Sequence, residues 1–243
     1  MIDRRTLFAL GAMLPFAPAA LAQQAAREET WEEKWQRGLR EDWPGLRRYA
    51  AENTAVLASG VKTNIVFLGD SITEGWRDKR PGFFKAGRVG RGISGQTTPQ
   101  MVLRMAQDVI QLKPKYLHFM AGTNDIAGNT GPMTVAQTQD NIRLVADIAR
   151  ANGIKLLLAS VPPADHFPWR PGLETVKPIR EINAWLKNHA KNAGAIWVDY
   201  WPVLADEKGA MKPGMAYDGV HPSEQGYVTM ESVIEPLLKA RGI

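Results

Sequence analysis

The sequence predicts one α/β domain built on a parallel β-sheet of about five strands flanked by helices. Three observations predict it. Short, continuous apolar runs recur along the chain, helix-like segments separate them, and a polar or glycine-rich cluster follows each run. Continuous apolar runs suit strands covered on both faces, and strands that alternate with helices suit a parallel sheet.

The elements follow in order. The chain opens with Met1-Ile2-Asp3-Arg4-Arg5, an apolar stretch from about Leu7, and a small-x-small ending at Ala20-Leu21-Ala22. A charged start, an apolar middle and such an ending describe an export signal over residues 1–22. The stretch is too short, and too broken by Pro15 and Pro18, for a membrane span. Arg4-Arg5 before Thr6-Leu7-Phe8 resembles a twin-arginine signal. The expected destination is therefore the periplasm or the exterior.

Residues 23–58 read as an N-terminal helical segment that packs on the domain. Trp31, Trp35 and Leu39 recur at i, i+4 and i+8, one helix face, and core packing is the expected use of that stripe. Pro44 marks a turn after Trp43, and a second helix runs from about Leu46 to Leu57. The main domain spans residues 59–243. Its expected strands are Ile65–Leu68, a weaker Arg88–Arg91, Tyr116–Met120, Ile154–Leu158 and Ala195–Val198. Helices are expected over Pro99–Ile110, Thr134–Ala151, Thr175–Ala193 and Ser223–Lys239. Gly153 and Gly194 stand where a helix hands over to a strand.

Composition narrows the function classes. The 243 residues are 44% hydrophobic and 23% charged, which suits one well-buried core. There is no cysteine, so disulfides, thiolate catalysis and cysteine-ligated metals are excluded. The net charge of +5 is dispersed among acids, and no nucleic-acid motif accompanies it. Lys79, Arg80, Lys85, Arg88 and Arg91 form a basic group that reads as a solvated face.

The polar clusters carry the chemistry. In an open α/β sheet, ligands bind outside the carboxyl ends of the strands. Gly69-Asp70-Ser71, Ile93-Ser94-Gly95-Gln96-Thr97 and Gly122-Thr123-Asn124-Asp125 follow the first three strands, and Asp218-Gly219-Val220-His221 lies beyond the fifth. Ser71 alone reads as a helix cap, since Ser71 with Glu74 has capping-box spacing and Gly69 permits a tight turn. Beside it, Asp70 is expected to bond the turn and Asp125 to cap its own loop.

A base is what turns a serine into a nucleophile, and Asp218-x-x-His221 offers one with a carboxylate to orient it. Of the other histidines, His118 falls inside a strand, His189 on a polar helix face, and His166 in a loop on the same rim, where it competes for the role of base. Asn124 through its amide, Gly95 through its backbone N–H and the Ser71 N–H could stabilise an oxyanion. Trp76, Arg77, Phe167, Trp169 and Arg170 could form a substrate-binding wall, or simply pack the loops.

Together, Gly69-Asp70-Ser71-Ile72-Thr73, Gly95, Gly122-Thr123-Asn124-Asp125 and Asp218-Gly219-Val220-His221-Pro222 resemble the four blocks of the SGNH hydrolases, also called GDSL esterases. One feature departs from the pattern: Gly90-Arg91-Gly92 stands where an asparagine often precedes the second block. The resemblance implies a three-layer αβα sandwich, flavodoxin-like, with strand order 2-1-3-4-5. It implies a triad of Ser71, Asp218 and His221 and an oxyanion hole from Ser71, Gly95 and Asn124. It implies no cofactor and no metal. Asn64-Ile65-Val66-Phe67-Leu68 and Leu112-Lys113-Pro114-Lys115 look similar to bacterial relatives of platelet-activating-factor acetylhydrolase, and sugar deacetylases share much of this pattern.

The expectation is an exported serine hydrolase that cleaves short acyl, chiefly acetyl, esters of carbohydrate or lipid. Its partner is a small-molecule or polysaccharide ester, with no nucleic acid and no membrane span. The competing expectations are a lysophospholipase, thioesterase or acyl transferase of the same fold, and a non-catalytic carbohydrate-binding module.

Overall fold

The computed structural model describes residues 28–243 except Ala86. The expected export signal over residues 1–22 lies outside the described residues. Five strands form one sheet: β1 (Ile65–Gly69), β2 (Arg88–Gly92), β3 (Tyr116–Met120), β4 (Lys155–Ala159) and β5 (Ile196–Val198). All pairings are parallel and the order is β2-β1-β3-β4-β5. The expected αβα order 2-1-3-4-5 is the one observed.

Strand periodicity divides the core into two layers. Val66, Leu68, Leu117 and Phe119 face one side, where they meet α4 (Thr98–Arg104), α6 (Val135–Ala151) and α7 (Val176–Ala193) through Met101, Ile142, Val145, Ile179 and Ile182. Ile65, Phe67 and Leu157 face the other, against α3 (Ser71–Lys79), the short α8 (Trp201–Leu204) and α9 (Glu224–Lys239). The centre strands β1 and β3 are buried at every position, which is why they read as unbroken apolar runs.

Helix ends follow local chemistry. Thr134 starts α6 with a reciprocal capping box to Gln137, and Ser223 accepts from the Gly226 N–H at the start of α9. The helix expected over Pro99–Ile110 is less regular: α4 passes at Met105–Val109 into a π-helical turn and then a 3-10 turn to Leu112.

Within the N-terminal segment, the aromatic stripe departs from expectation. The first helix, α1 (Trp31–Glu41), has no buried residue, and Trp31 is 63% exposed. Its aromatic stripe therefore does not pack into the core. The sheet's two faces are already covered by other helices, so α1 has no layer to enter. The chain after α1 is tied down by polar contacts instead. Gln100 Nε2 donates to the Trp43 carbonyl and Gln96 Nε2 to that of Pro44. From α2 (Ala50–Ala58), Asn53 joins Arg91 and Asp108 in a buried network.

Candidate active site

Three strand ends and one loop converge. Ser71 opens α3 directly after β1, Gly95 follows β2, Asn124 lies in the short helix α5 (Thr123–Ala127) after β3, and His221 sits just before α9. The β1–α3 junction depends on close approach. Gly69 is in extended backbone, and a Cβ there would lie 2.7 Å from the Met120 carbonyl and against Thr73 Oγ1. Its role is space, not the turn freedom that the sequence suggested.

Ser71 is not the cap. Asp70 caps α3, its Oδ1 accepting the Ile72 N–H at 3.0 Å, and Ser71 is the first helical residue. Glu74 is drawn elsewhere, accepting from Ser94 N at 2.8 Å and Ser94 Oγ at 2.6 Å. The Ser71 hydroxyl is thereby left for another partner. Ser71 Oγ lies 2.8 Å from His221 Nε2, and His221 Nδ1 lies 2.7 Å from Asp218 Oδ2. The other Asp218 oxygen accepts the N–H groups of His221 (2.7 Å) and Val220 (3.0 Å). Burial works against the Asp218 charge, but these donors outweigh it and hold the carboxyl below its ordinary pKa. An ionised Asp218 accepts the hydrogen bond of Nδ1–H and so keeps the ring proton on that nitrogen, leaving Nε2 as the free acceptor that faces Ser71.

The donor side of the site is equally ordered. Asn124 Nδ2 gives one hydrogen to the Gln96 carbonyl at 3.0 Å, leaving its second free. Gly95 has φ +77°, a backbone that glycine adopts without strain. Asn129, which sequence reasoning did not single out, holds both groups. Its Nδ2 donates to Asn124 Oδ1 (2.8 Å) and to the Gly95 carbonyl (3.2 Å), and its Oδ1 accepts from Trp169 Nε1 (3.1 Å). Gly128-Asn129 reads in sequence as a plain turn, and only its five-residue offset from Asn124 hinted at more.

These groups line one cleft of about 540 Å³ with Trp31, Trp35, Trp169 and Arg170. The hydrophobic side chains in its lining are the three indoles, and no aliphatic residue is among them. His221 lies between Trp169 (centroids 6.0 Å apart) and Tyr217 (5.6 Å, nearly parallel).

Not every expected wall residue is present. Trp76 is fully buried, stacked on Phe83 (4.9 Å) and Tyr227 (5.9 Å), with Nε1 donating to Glu231, so it is a core residue and not part of a rim. Arg77 pairs with Glu52 at 2.8 Å beside β2, away from the cleft. Phe167 is buried and supports Trp169 from below at 5.1 Å. Of the five, Trp169 and Arg170 line the cleft, and Arg170 is anchored on the carbonyls of Ala127 and Gly128.

The remaining histidines also separate. His118 is buried, bonded to Tyr200 at 3.1 Å, and desolvation pushes its pKa down to about 3. His189 stacks on Trp185 at 4.6 Å and is half-buried, not solvated as expected. His166 pairs with Asp165 outside the cleft and packs against Gly219 of the Asp218–His221 turn. Within the expected basic face, Arg80 and Arg88 are matched by Glu231 and Glu235. Among the described residues no cluster of three acid, His or Cys side chains could hold a metal ion.

Asp70 and Asp125 are buried carboxyls with pKa values pushed up by desolvation to about 6. Asp125 does not cap its own loop but accepts from Thr98 N and Oγ at the start of α4. Because the unfolded chain releases these protons near pH 4, the native state binds more protons between about pH 4 and 6, and stability falls as pH rises through that window. Asp70→Asn keeps the oxygen that caps Ile72 and removes the buried charge. It should stabilise the protein by about 1–3 kcal/mol at pH 8 and leave pH 4 unchanged, measured by urea unfolding at both. Equal effects at the two pH values would contradict this.

The chain resembles several known proteins. The model of the GDSL-like lipase/acylhydrolase family matches residues 67–228. A GDSL-like lipase from Bacteroides thetaiotaomicron is 42% identical, with a TM-score of 0.78 over 82% of this chain and 100% of that one. The esterase TesA of Pseudomonas aeruginosa is 28% identical over 62% of this chain and 69% of its own length. The uncharacterized lipoprotein YqeF of Bacillus subtilis is 41% identical over 31% of this chain, a match that spans about a third (32%) of that protein.

Proposed function

Since the chain belongs to the GDSL-like lipase/acylhydrolase family, a family of carboxylic ester hydrolases, we propose that it removes short acyl groups from esters through an acyl-enzyme on Ser71. The observation that supports this best is the unbroken relay from Asp218 through His221 to Ser71, at 2.7 and 2.8 Å. His221 Nε2 accepts the Ser71 proton as Oγ bonds to the carbonyl carbon. The tetrahedral oxyanion is met by the Ser71 and Gly95 N–H groups and the free hydrogen of Asn124 Nδ2. The positive end of α3, which begins at Ser71, favours the same charge. Collapse breaks the bond to the alcohol oxygen, which leaves with the proton held on Nε2. Water then attacks the acyl-serine, gives its proton to Nε2, and releases the acid as that proton returns to Ser71 Oγ. Asp218 orients the ring throughout and stabilises its cationic form.

A short acyl group follows from the cleft's lining. A long alkyl chain gains affinity by burying each methylene against apolar surface, and the cleft offers indoles and polar groups only. With p-nitrophenyl esters, kcat/KM should fall at least tenfold between the acetyl and dodecanoyl substrates. A rise with chain length would overturn the short-acyl assignment. The apolar stretch before Ala22, together with the lipoprotein relative, favours export of the chain. Among the described residues no helix is long and apolar enough to cross a membrane.

A further inference from the structure

Helix α1 is the least explained element of the fold. It buries none of its residues, yet it carries two tryptophans four residues apart. Their rings stack at 5.8 Å and 6° and both line the cleft that holds Ser71 and His221. The rest of the helix is held by polar contacts: a reciprocal box between Thr30 and Glu33 at its start, and Arg37 paired with Glu29 and Glu41 along its outer side. Leaving Trp31 63% exposed does nothing for the core, and a bare indole of that size costs solvation unless something covers it. Trp35 is placed differently, since its ring edge lies on Gly95, where a Cβ would come within 2.9 Å of Cη2.

We propose that α1 is the alcohol-recognition wall of the active site, and that Trp31, backed by Trp35, stacks the ring of a carbohydrate whose ester is being cleaved. This rests on the hydrolase reading above. The outer indole face of a stacked pair is flat and electron-rich, which suits the C–H face of a pyranose or furanose. The groups around that face are polar. Glu32 and Gln36 are bonded to each other at 2.9 Å on α1, and Asn129 and Arg170 stand on the same cleft. Glu32, Gln36 and Arg170 supply acceptors and donors for ring hydroxyls, where a lipid alcohol would require aliphatic residues that the cleft lacks. Trp35 acts through Gly95 as a positioning residue, while Trp31 contacts the sugar.

The test uses the full chain and two acetyl esters: a peracetylated methyl xyloside, which carries a sugar ring, and ethyl acetate, which carries none. In Trp31→Ala the ratio of kcat/KM for the sugar ester to that for ethyl acetate should fall about tenfold, through KM and not kcat. Trp31→Tyr should restore most of it. Alanine is a better helix former than tryptophan, so α1 is not expected to unfold in the variant, and circular dichroism checks this. An unchanged ratio in Trp31→Ala would overturn the proposal. If the wild-type protein hydrolyses neither ester, the hydrolase reading itself fails, an outcome visible before any variant is made.

Discussion

Ser71→Ala should lower kcat for p-nitrophenyl acetate by at least about 10⁴-fold and abolish labelling by a fluorophosphonate, with the fold intact. The expected size comes from losing the atom that forms the acyl-enzyme in the proposed mechanism. What survives is the contribution of the oxyanion donors and of binding, which in comparable sites remains measurable above the rate in water. The fold is expected to survive because Ser71 Oγ has one hydrogen-bond partner, His221, at a half-buried position, and Asp70 caps the helix in its place. Loss of that bond costs about 1 kcal/mol or less. Intact protein mass spectrometry after labelling, followed by peptide mapping, identifies the modified residue. Undiminished turnover in the variant, or labelling at another serine, would remove Ser71 from the mechanism.

Asp218→Asn should be nearly as damaging, about 10³–10⁴-fold in kcat, without loss of the turn. An amide can still accept the backbone N–H groups of His221 and Val220 through its oxygen, as Asp218 Oδ1 does at 2.7 and 3.0 Å. Its NH₂ would then face His221 Nδ1, turning that nitrogen into an acceptor and moving the ring proton to Nε2. A ring with its proton on Nε2 cannot take one from Ser71. KM should change little, because Asp218 faces His221 and is not part of the cleft lining. His166→Ala provides the control. It should retain activity within about tenfold, its effect limited to the support that its ring gives Gly219. If His166→Ala is the more damaging of the two, the base has been assigned to the wrong histidine.

Much of the fold was legible because the sheet is buried on both faces. Ile65–Gly69 and Tyr116–Met120 have no exposed position, so their sequences are unbroken apolar runs that do not read as amphipathic helix. The helix starts at Thr134 and Ser223 were legible for a local reason, a side chain that satisfies N–H groups three residues on. Where the sequence misled, a residue type fitted two environments equally. Trp76 and Trp169 are both tryptophans beside the predicted rim. One is sealed between α3 and α9, while the other stays 38% exposed at the cleft. The stripe of Trp31 and Trp35 has helical spacing in either case, and periodicity cannot tell a face that meets the core from one that meets a substrate.

The order of polar clusters after the strands, read by itself, determined which side chains were available, and the family resemblance that they carry implied the reaction class. That followed because a parallel sheet delivers the residue after each strand to one edge, whatever the details of packing. Tertiary structure alone decided which of those side chains touch. It brought Ser71 and His221, 150 residues apart, to 2.8 Å, drew Glu74 away to Ser94, and set Asn129 between Asn124 and Gly95. It also moved the aromatic face of α1 from the core, where pattern alone would put it, to the mouth of the cleft. Hydrogen bonds and stacking act over a few ångströms, and contacts between residues far apart in the chain are fixed only when the whole core has packed.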